Sequence, residues 1–284
     1  MPLSAAELRS VAVRMLADYD AGRPNALFAE RDRDWVTMED AYAVQRAVAA
    51  LRQARGERCV GYKVGCVSPA IQRQLGLHQP VRGYLWASER HESGTFLEHA
   101  RYVHLAIEGE LALQLRAAPS SGTRGQDLLD CIERWFPVLE LHQAVFRGCI
   151  PTSQELVAGN AMHAGFVVPT GGASASIATA VGHAFDQLRC PEIRVELDGQ
   201  PVETRSVDEL PGGPLGSLRW LVSSLEQDHQ RLPPDALVLT GSPNRLLRVV
   251  PGMKVAVNGA GQQVEILIGP CAPPPPEGKE RMVL

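Results

Sequence analysis

The most informative pattern in the chain is an alternation of apolar and acidic positions over residues 105–115. With the two-residue period of a β-strand, the apolar positions share one face, whereas Glu108 and Glu110 share the other. Strand residues two positions apart lie roughly 6.6 Å apart and point the same way. Two carboxylates held that close repel each other unless a cation or a shared proton intervenes. Because glutamate is a poor strand former, this repetition marks a candidate functional strand.

Helical periodicity is clearest near the N-terminus. Ser4 stands where it would cap a first helix, and Thr37 with Asp40 forms a capping-box pattern for a second helix. Two further helices are predicted at 127–135 and 216–225, where apolar residues recur with helical spacing.

Short strands and turns are predicted for most of the chain after the second helix. Asp198 and Gly199, between two alternating runs, give a strong hairpin signal. Apolar runs at 255–257 and 264–268 indicate a final pair of strands.

A third acid, Glu140, stands alone in the apolar run 136–142. Three carboxylates on strands form a facial set of oxygen ligands for a hard cation and leave positions for water and substrate. The chain has no HxxxH, HExxH or CxxC spacing, which argues against zinc. The pattern therefore predicts Mg²⁺ or Mn²⁺ at Glu108, Glu110 and Glu140. The competing interpretation is an edge strand with a solvated acidic face.

Composition narrows the class of protein. The chain has 284 residues, 45% of them hydrophobic, and a net charge of -4, values that are ordinary for a globular protein. It has no basic stripe and no apolar run near the ~18 residues of a membrane span, so we expect neither nucleic acid nor membrane as a partner. The six cysteines lack paired spacing, and the start lacks a signal-peptide pattern. We therefore expect a cytoplasmic protein with reduced thiols.

The domain organisation is expected to be simple. We predict a single domain over 1–284, with a helical segment at 1–56, a β-rich metal-binding core at 57–272 and a Pro-rich tail at 273–284. The Ala/Ser/Gly-rich stretch at 171–186 is interpreted as a surface insertion, because strand patterns resume on both sides of it.

Several short strings, in order and at family-like spacing, resemble one known family. They are Thr37–Gln45, Gly61–Gly65, Ser68–Pro69, Gln72–Pro80, Ile107–Glu110, Pro137–Glu140, Asn160–Ala161, Leu239–Gly241 and Pro251–Gly252. The chain resembles the 2-keto-4-pentenoate hydratases, whose family includes 2-oxohept-4-ene-1,7-dioate hydratases and 4-oxalocrotonate decarboxylases, within the fumarylacetoacetate hydrolase superfamily. The resemblance implies an α+β fold, with a mixed β-roll core of the fumarylacetoacetate hydrolase C-terminal type after an N-terminal helical segment.

The resemblance also implies roles for individual residues. In the family, the acids that match Glu108, Glu110 and Glu140 bind a divalent metal, and the lysine that matches Lys63 reaches the substrate. The chain has only three lysines, so the position of Lys63 in a Gly-rich strand is less expected to be incidental. Ser242 lies where the family has a substrate-facing turn, although it would equally serve to close that turn.

Three more residues have two interpretations each. His142 shares the strand face of Glu140, so it is a candidate catalytic acid/base beside the metal, or else a histidine that makes ordinary hydrogen bonds. Asn160 is a candidate substrate-binding residue or a support for the site. His163 is a candidate site residue as well, with a packed or surface histidine as the favoured interpretation.

The chain departs from the family where the family builds its pocket walls. After the third acid most members read Ile/Val-x-Asp-Ser-Arg, whereas this chain reads Leu-His-Gln-Ala-Val at 141–145. The family's Asp-Asn-Ala is Gly-Asn-Ala at 159–161, and a glycine-rich loop is replaced at 203–209. These changes indicate a different substrate, a different reaction or lost activity.

The function implied by the resemblance is that of a metal-dependent lyase, with a hydratase of 2-hydroxydienoates or 2-oxo-alkenoates in aromatic compound catabolism as the first expectation. A 4-oxalocrotonate-type decarboxylase and an acylpyruvate C–C hydrolase stay open, as does a catalytically silent partner subunit of such an enzyme. A small 2-oxo acid is the expected substrate. We also expect a homo-oligomer, with a complex with a related decarboxylase or hydratase as an alternative.

Overall fold

The computed structural model describes residues 3–24, 37–144, 151–170, 175–176 and 192–270. The predicted Pro-rich tail and most of the predicted insertion at 171–186 lie outside the described residues. The predicted division of the chain into segments therefore stays a prediction.

The helices of the described residues agree with the N-terminal prediction. They are α1 (Ala5–Asp20), α2 (Met38–Ala54), α3 (Pro69–Leu75), α4 (Gly125–Asp130), α5 (Ser153–Ala158) and α6 (Gly213–Gln227). The caps of the first two are confirmed: Ser4 with Glu7, and Thr37 with Asp40, form reciprocal capping boxes. None of these helices is long and apolar enough to cross a membrane.

The strands of the described residues form two sheets. They are β1 (Cys59–Gly65), β2 (Val81–Trp86), β3 (Arg90–Glu92), β4 (Thr95–Glu98), β5 (Ala106–Leu115), β6 (Ile132–His142), β7 (His163–Val168), β8 (Ala175–Ser176), β9 (Glu192–Leu197), β10 (Gln200–Ser206), β11 (Leu237–Leu239), β12 (Leu247–Arg248), β13 (Lys254–Gly259) and β14 (Gln262–Gly269). The larger sheet has the order β2-β1-β11-β5-β6-β7-β3, with β12 beside β5 and β8 beside β6. The smaller has the order β10-β9-β13-β14-β4.

Both sheets are mixed. The pairs β1–β11, β3–β7 and β4–β14 are parallel, and the other pairs are antiparallel. The predicted hairpin joins β9 to β10, and the predicted final pair is β13 with β14. The expected α+β fold, a mixed β core with helices before it, is confirmed.

The helix predicted over 127–135 is wrong in its second half. Helix α4 ends at Asp130, and β6 begins at Ile132. Ile132 and Trp135 stand three positions apart, which imitates a helical stripe. Both are buried because they belong to a strand that pairs with β5 along its length. Local periodicity does not report such long-range pairing, which here overrides it.

The smaller sheet packs against one face of β5, and Gly109 makes the close approach possible. A Cβ atom on Gly109 would lie 2.9 Å from Val195 and 3.0 Å from Ile193, both on β9. Any larger residue would push the sheets apart. The opposite face of the same strand, which carries Glu108 and Glu110, is left for the candidate site.

Helices α1, α2 and α5 pack beside β2. Their apolar contacts form one cluster, made of Met15, Ala41, Val44, Leu77, Val81, Leu156, Val157, Ala158 and Ala161. A buried charge also connects this layer to the sheet, because Arg52 lies over the ring of Trp86 and pairs with Glu89 at 2.6 Å. Buried charges persist when they are paired, so this contact anchors α2 next to the candidate site.

Candidate metal centre

Strands β5 and β6 place the predicted acids side by side. Their antiparallel register sets Glu108 directly opposite Glu140, and Glu110 follows two residues along on the same face of β5. Glu140 is 0% exposed and Glu110 is 1% exposed, whereas Glu108 is partly open to solvent. The structure therefore brings the three predicted carboxylates together, largely out of contact with water.

The surroundings of Glu110 disfavour its charged form. Burial, and next the charge of Glu140, raise the pKa of Glu110 well above its usual range. The second oxygen of Glu110 accepts a hydrogen bond of 2.9 Å from the backbone N–H of Gly241. A raised pKa is the expected result of two buried carboxyl groups held close together.

Lys63 places a positive charge beside the acids, which reduces the repulsion between their carboxylates. It is buried in β1, where its Nζ lies 3.2 Å from Oε1 of Glu140 and donates to the carbonyl of Ala161 at 3.2 Å. Burial alone would lower the pKa of Lys63, but Glu140, then Glu110 and Glu108, raise it above its usual value. The lysine therefore stays charged and offsets part of the negative charge of the acids.

His142 faces the same carboxylates, as its spacing from Glu140 predicts. Its Nε2 lies 3.4 Å from Oε2 of Glu108 and 3.4 Å from Oε2 of Glu140. Burial lowers the pKa of His142, but the charges of Glu140 and Glu108 outweigh burial and raise it to about 9. The ligand atoms of Glu108, Glu140 and His142 all lie within 4.8 Å of one another.

The structure places two more side chains beside the acids: His163, for which the sequence favoured a packed or surface position, and Glu89, which the sequence did not single out. His163 begins β7 opposite His142, and its Nδ1 lies 2.6 Å from Oε1 of Glu140. Its Nε2 lies 3.7 Å from Oε2 of Glu89, whose other oxygen pairs with Arg52. His163 is packed, as the favoured interpretation held, but it also forms a hydrogen bond with Glu140. Only the β6–β7 register would have indicated this contact.

Asn160 uses both polar groups of its side chain within the protein. Its Oδ1 accepts from the N–H of Tyr84 at 2.7 Å, and its Nδ2 donates to the carbonyl of Tyr84 at 3.0 Å. Asn160, Ala161 and Met162 all have positive φ, at 56°, 52° and 64°, a costly backbone for residues other than glycine. The hydrogen bonds hold this turn, whose Ala161 carbonyl faces Lys63. Substrate binding by Asn160 stays a prediction.

Ser242 lies in the turn that follows β11. Its hydroxyl donates to the carbonyl of Gly109 at 2.9 Å and accepts from the N–H of Asn244 at 3.0 Å. These bonds close the turn over β5, and the preceding Gly241 bonds Glu110 from the same turn. Ser242 therefore borders the acids, and contact with substrate stays a prediction.

The residues present fit a divalent cation. Oε1 of Glu140 is held by Lys63 and His163. Oε2 of Glu140 and Nε2 of His142 are buried and have no hydrogen-bond partner among the described residues. Buried polar atoms without partners are costly, and a cation would satisfy both. Carboxylate oxygens with one imidazole nitrogen form a donor set that divalent ions accept.

Curated relatives of the chain share two related activities. A 2-keto-4-pentenoate hydratase of Burkholderia vietnamiensis is 30% identical over 222 residues, which is 78% of this chain and 79% of that protein. A 2-hydroxyhexa-2,4-dienoate hydratase of Comamonas testosteroni is 30% identical over 196 residues, 67% of this chain and 70% of that protein. A 4-oxalocrotonate decarboxylase of Pseudomonas putida is 25% identical over 227 residues, 80% of this chain and 83% of that protein. No family model matches the chain.

Solved structures share the fold. The 4-oxalocrotonate decarboxylase from Pseudomonas putida G7, complexed with magnesium and adipate, superposes with a TM-score of 0.85 at 24% identity, over 94% of this chain and 98% of that chain. A fumarylpyruvate hydrolase from Pseudomonas aeruginosa, in complex with Mn²⁺ and pyruvate, gives a TM-score of 0.55 at 17% identity, over 73% of this chain and 88% of that chain. At these identities the likeness establishes the architecture of the two sheets.

Proposed function

The chain belongs to the family of 2-keto-4-pentenoate hydratases and 4-oxalocrotonate decarboxylases, and on that premise we propose that it is a divalent-metal-dependent lyase, first of all a hydratase of 2-hydroxydienoates or 2-oxo-alkenoates. The observation that carries the proposal is the buried set of Glu108, Glu110 and Glu140 beside Lys63. A silent partner subunit would have no need for a costly buried cluster of charges.

We assign the metal to the three carboxylates. Glu108 and Glu140 face each other across β5 and β6, and Glu110 follows two residues after Glu108 on the same face of β5. A bound Mg²⁺ or Mn²⁺ supplies Lewis acidity to the carboxylate and 2-oxo oxygens of the substrate. Relatives of this fold have been solved with magnesium, calcium and Mn²⁺, which supports a divalent ion.

We assign Lys63 the role of stabilising the negative charge that develops on the substrate. Ketonisation of a 2-hydroxydienoate passes through a dienolate with negative charge on the 2-oxygen. Protonation of its terminal carbon gives a 2-oxo-3-enoate, and water then adds across the remaining conjugated double bond. A fixed, buried ammonium group stabilises such an oxygen more strongly than water does, because the surroundings are of low dielectric and need no reorganisation. Its bonds to Glu140 and to the Ala161 carbonyl hold the group in place. An acid/base role for His142 stays a prediction.

A decarboxylase is the second candidate. The 4-oxalocrotonate decarboxylase of Pseudomonas putida matches 80% of this chain, about as much as the hydratases do. Loss of CO₂ from a 2-oxo-hexenedioate generates the same kind of enolate, so Lys63 would serve both reactions equally well. The products distinguish the two activities.

The proposal is tested by an activity screen of the purified protein with Mg²⁺ or Mn²⁺. We expect a metal-dependent loss of the enol absorbance of 2-hydroxypenta-2,4-dienoate, with a 4-hydroxy-2-oxo acid as product. Release of CO₂ from 4-oxalocrotonate would instead establish the decarboxylase. A protein that binds metal but consumes neither compound would contradict the enzyme proposal and favour the silent partner.

We also propose a cytoplasmic homo-oligomer, or a complex with a related hydratase or decarboxylase. Light scattering of the purified protein tests whether it forms a homo-oligomer. A monomer at micromolar concentration would contradict it.

His163 offers a test of how Glu140 is held. We expect His163→Leu to weaken Mn²⁺ binding by about ten- to a hundredfold, because Oε1 of Glu140 loses its 2.6 Å hydrogen bond to the ring. His163→Gln, whose amide can still donate, is expected to recover most of the affinity. Isothermal titration calorimetry of the folded protein measures the Mn²⁺ affinity of both variants, and His78→Leu, a change at an exposed histidine, is the control. Unchanged affinity in His163→Leu would show that the ring does not support Glu140.

A further inference from the structure

His142 stands out among the residues around the acids, because it places a nitrogen donor among oxygen donors. We infer that Nε2 of His142 releases its proton to solvent and becomes a direct ligand of the metal, beside the carboxylates assigned to it and nearest to Oε2 of Glu108 and Oε2 of Glu140. The site consequently prefers divalent transition metals such as Mn²⁺ and Co²⁺ to Mg²⁺. The inference rests on the proposed function, because it concerns the same metal.

The distances at His142 suit shared coordination better than hydrogen bonding. Its Nε2 lies 3.4 Å from each of the two carboxylate oxygens. An N–H···O hydrogen bond is shorter, with roughly 2.7–3.2 Å between its heavy atoms. Two atoms bound to one ion at about 2.1 Å lie roughly 3.0 Å apart in octahedral geometry and roughly 3.4 Å apart in tetrahedral geometry. The observed separations fall at the upper end of this interval.

The hydrogen-bond partners of Glu140 and His142 also favour coordination of a metal by His142. Glu140 uses Oε1 for Lys63 and His163, whereas its Oε2 has no hydrogen-bond partner among the described residues. That oxygen is the one that faces His142, whose Nε2 is likewise buried and lacks a hydrogen-bond partner in the described part of the chain. Two orphaned atoms that face each other across the same small space are satisfied together by one cation.

The strands fix the position of the nitrogen in advance. His142 is the last residue of β6, paired with Ala106 of β5 on one side and His163 of β7 on the other. Its side chain is buried, so the ring has little freedom to turn away from Glu108 and Glu140. Ligands held on rigid strands need no reorganisation when a metal binds.

The chemistry of the donors decides the preference for a metal. Mg²⁺ takes oxygen ligands and keeps several waters, so an imidazole gives it little advantage. Transition metals bind imidazole more strongly, and their affinities rise from Mn²⁺ to Co²⁺ and beyond. The competing arrangement is an imidazolium that forms ion pairs with both carboxylates and coordinates nothing. In that case the selectivity would be that of an all-oxygen site.

The experiment uses wild-type protein loaded with Mn²⁺ and electron spin-echo spectroscopy, which detects nitrogen bound directly to the ion. We expect a ¹⁴N coupling that changes to a ¹⁵N coupling when the protein is labelled with ¹⁵N-histidine, a readout that needs no variant. We expect His142→Gln to lose this coupling, whereas the exposed His78→Gln retains it. Titration should show that the wild type prefers Mn²⁺ to Mg²⁺ at least tenfold more strongly than His142→Gln does.

The outcomes separate this inference from the proposed function. Tight Mn²⁺ binding without nitrogen coupling would overturn the ligand role of His142 and leave a metal-dependent lyase intact. A coupling that survives in His142→Gln would also overturn it, by assigning the nitrogen to another residue. Failure of the wild type to bind any divalent ion would overturn the inference and the proposed function together.

Discussion

Replacement of Glu140 by glutamine is expected to abolish tight binding of divalent metal and to lower turnover by roughly a thousandfold, equivalent to about 4 kcal/mol of lost transition-state stabilisation. Glu140 is the carboxylate that Lys63, His142 and His163 all approach. Burial alone would raise the pKa of Glu140, but Lys63, and next His142, hold it well below its usual range. The native site therefore depends on a negative charge that a neutral amide of the same shape cannot supply.

Titration with Mn²⁺ and the activity screen measure this effect, and circular dichroism establishes that the variant is folded. Glu265→Gln is the matched control, because Glu265 forms a partly exposed pair with Lys254 at 2.8 Å. Pairs of this kind are worth at most about 1 kcal/mol, so metal affinity and turnover should not change. Wild-type affinity for Mn²⁺ in Glu140→Gln would refute the assignment of the metal to these acids.

Replacement of Lys63 by methionine is expected to lower turnover about a hundredfold or more, since one fixed electrostatic stabiliser of the enolate is lost. Metal affinity should be retained or increase, because Lys63 and the metal both draw on the charge of Glu140. The protein without added metal should lose stability on the order of 3 kcal/mol, as the buried acids are left without their cation. Addition of Mn²⁺ should restore much of this loss.

Thermal melts with and without Mn²⁺, beside steady-state kinetics, separate these effects. Lys254→Met is the control, because it also removes a paired lysine, but one whose side chain is 53% exposed. It should leave turnover unchanged and alter stability by less than about 1 kcal/mol. If Lys63→Met loses stability with metal bound and keeps its turnover per folded molecule, Lys63 is structural and its catalytic assignment is wrong.

The sequence alone sufficed for features that depend on neighbours along the chain. Thr37 and Asp40 cap α2 as predicted, because a capping box involves residues three positions apart. Glu108 and Glu110 share a face of β5 whatever that strand pairs with, because side chains alternate in every strand. The same argument places His142 on the side of Glu140.

Local patterns failed where distant strands decide the conformation. Ile132 and Trp135 match a helical period, yet they lie in β6, whose hydrogen bonds go to β5. A segment with ambiguous periodicity adopts the structure that buries its side chains against partners elsewhere in the chain. No window around residue 132 contains those partners.

The assembly of the candidate site likewise depends on strands that are distant in the sequence. Glu108 meets Glu140 because of the register of β5 and β6, and a shift by one residue would turn one acid to the opposite face. His163 reaches Glu140 from 23 residues away, and Lys63 reaches the carbonyl of Ala161 from 98 residues away. Contacts over such separations leave no periodic trace in the sequence.

The sequence determined which donor types the chain carries and, within each strand, which face carries them. The tertiary structure determined that these faces converge, that Glu110 and Glu140 lose contact with water, and that Asn160 bonds the backbone of Tyr84. The difference has a physical cause. Side-chain alternation and capping are properties of the local backbone, whereas burial, strand register and the resulting pKa of Glu110 depend on elements that only folding brings within a few ångströms.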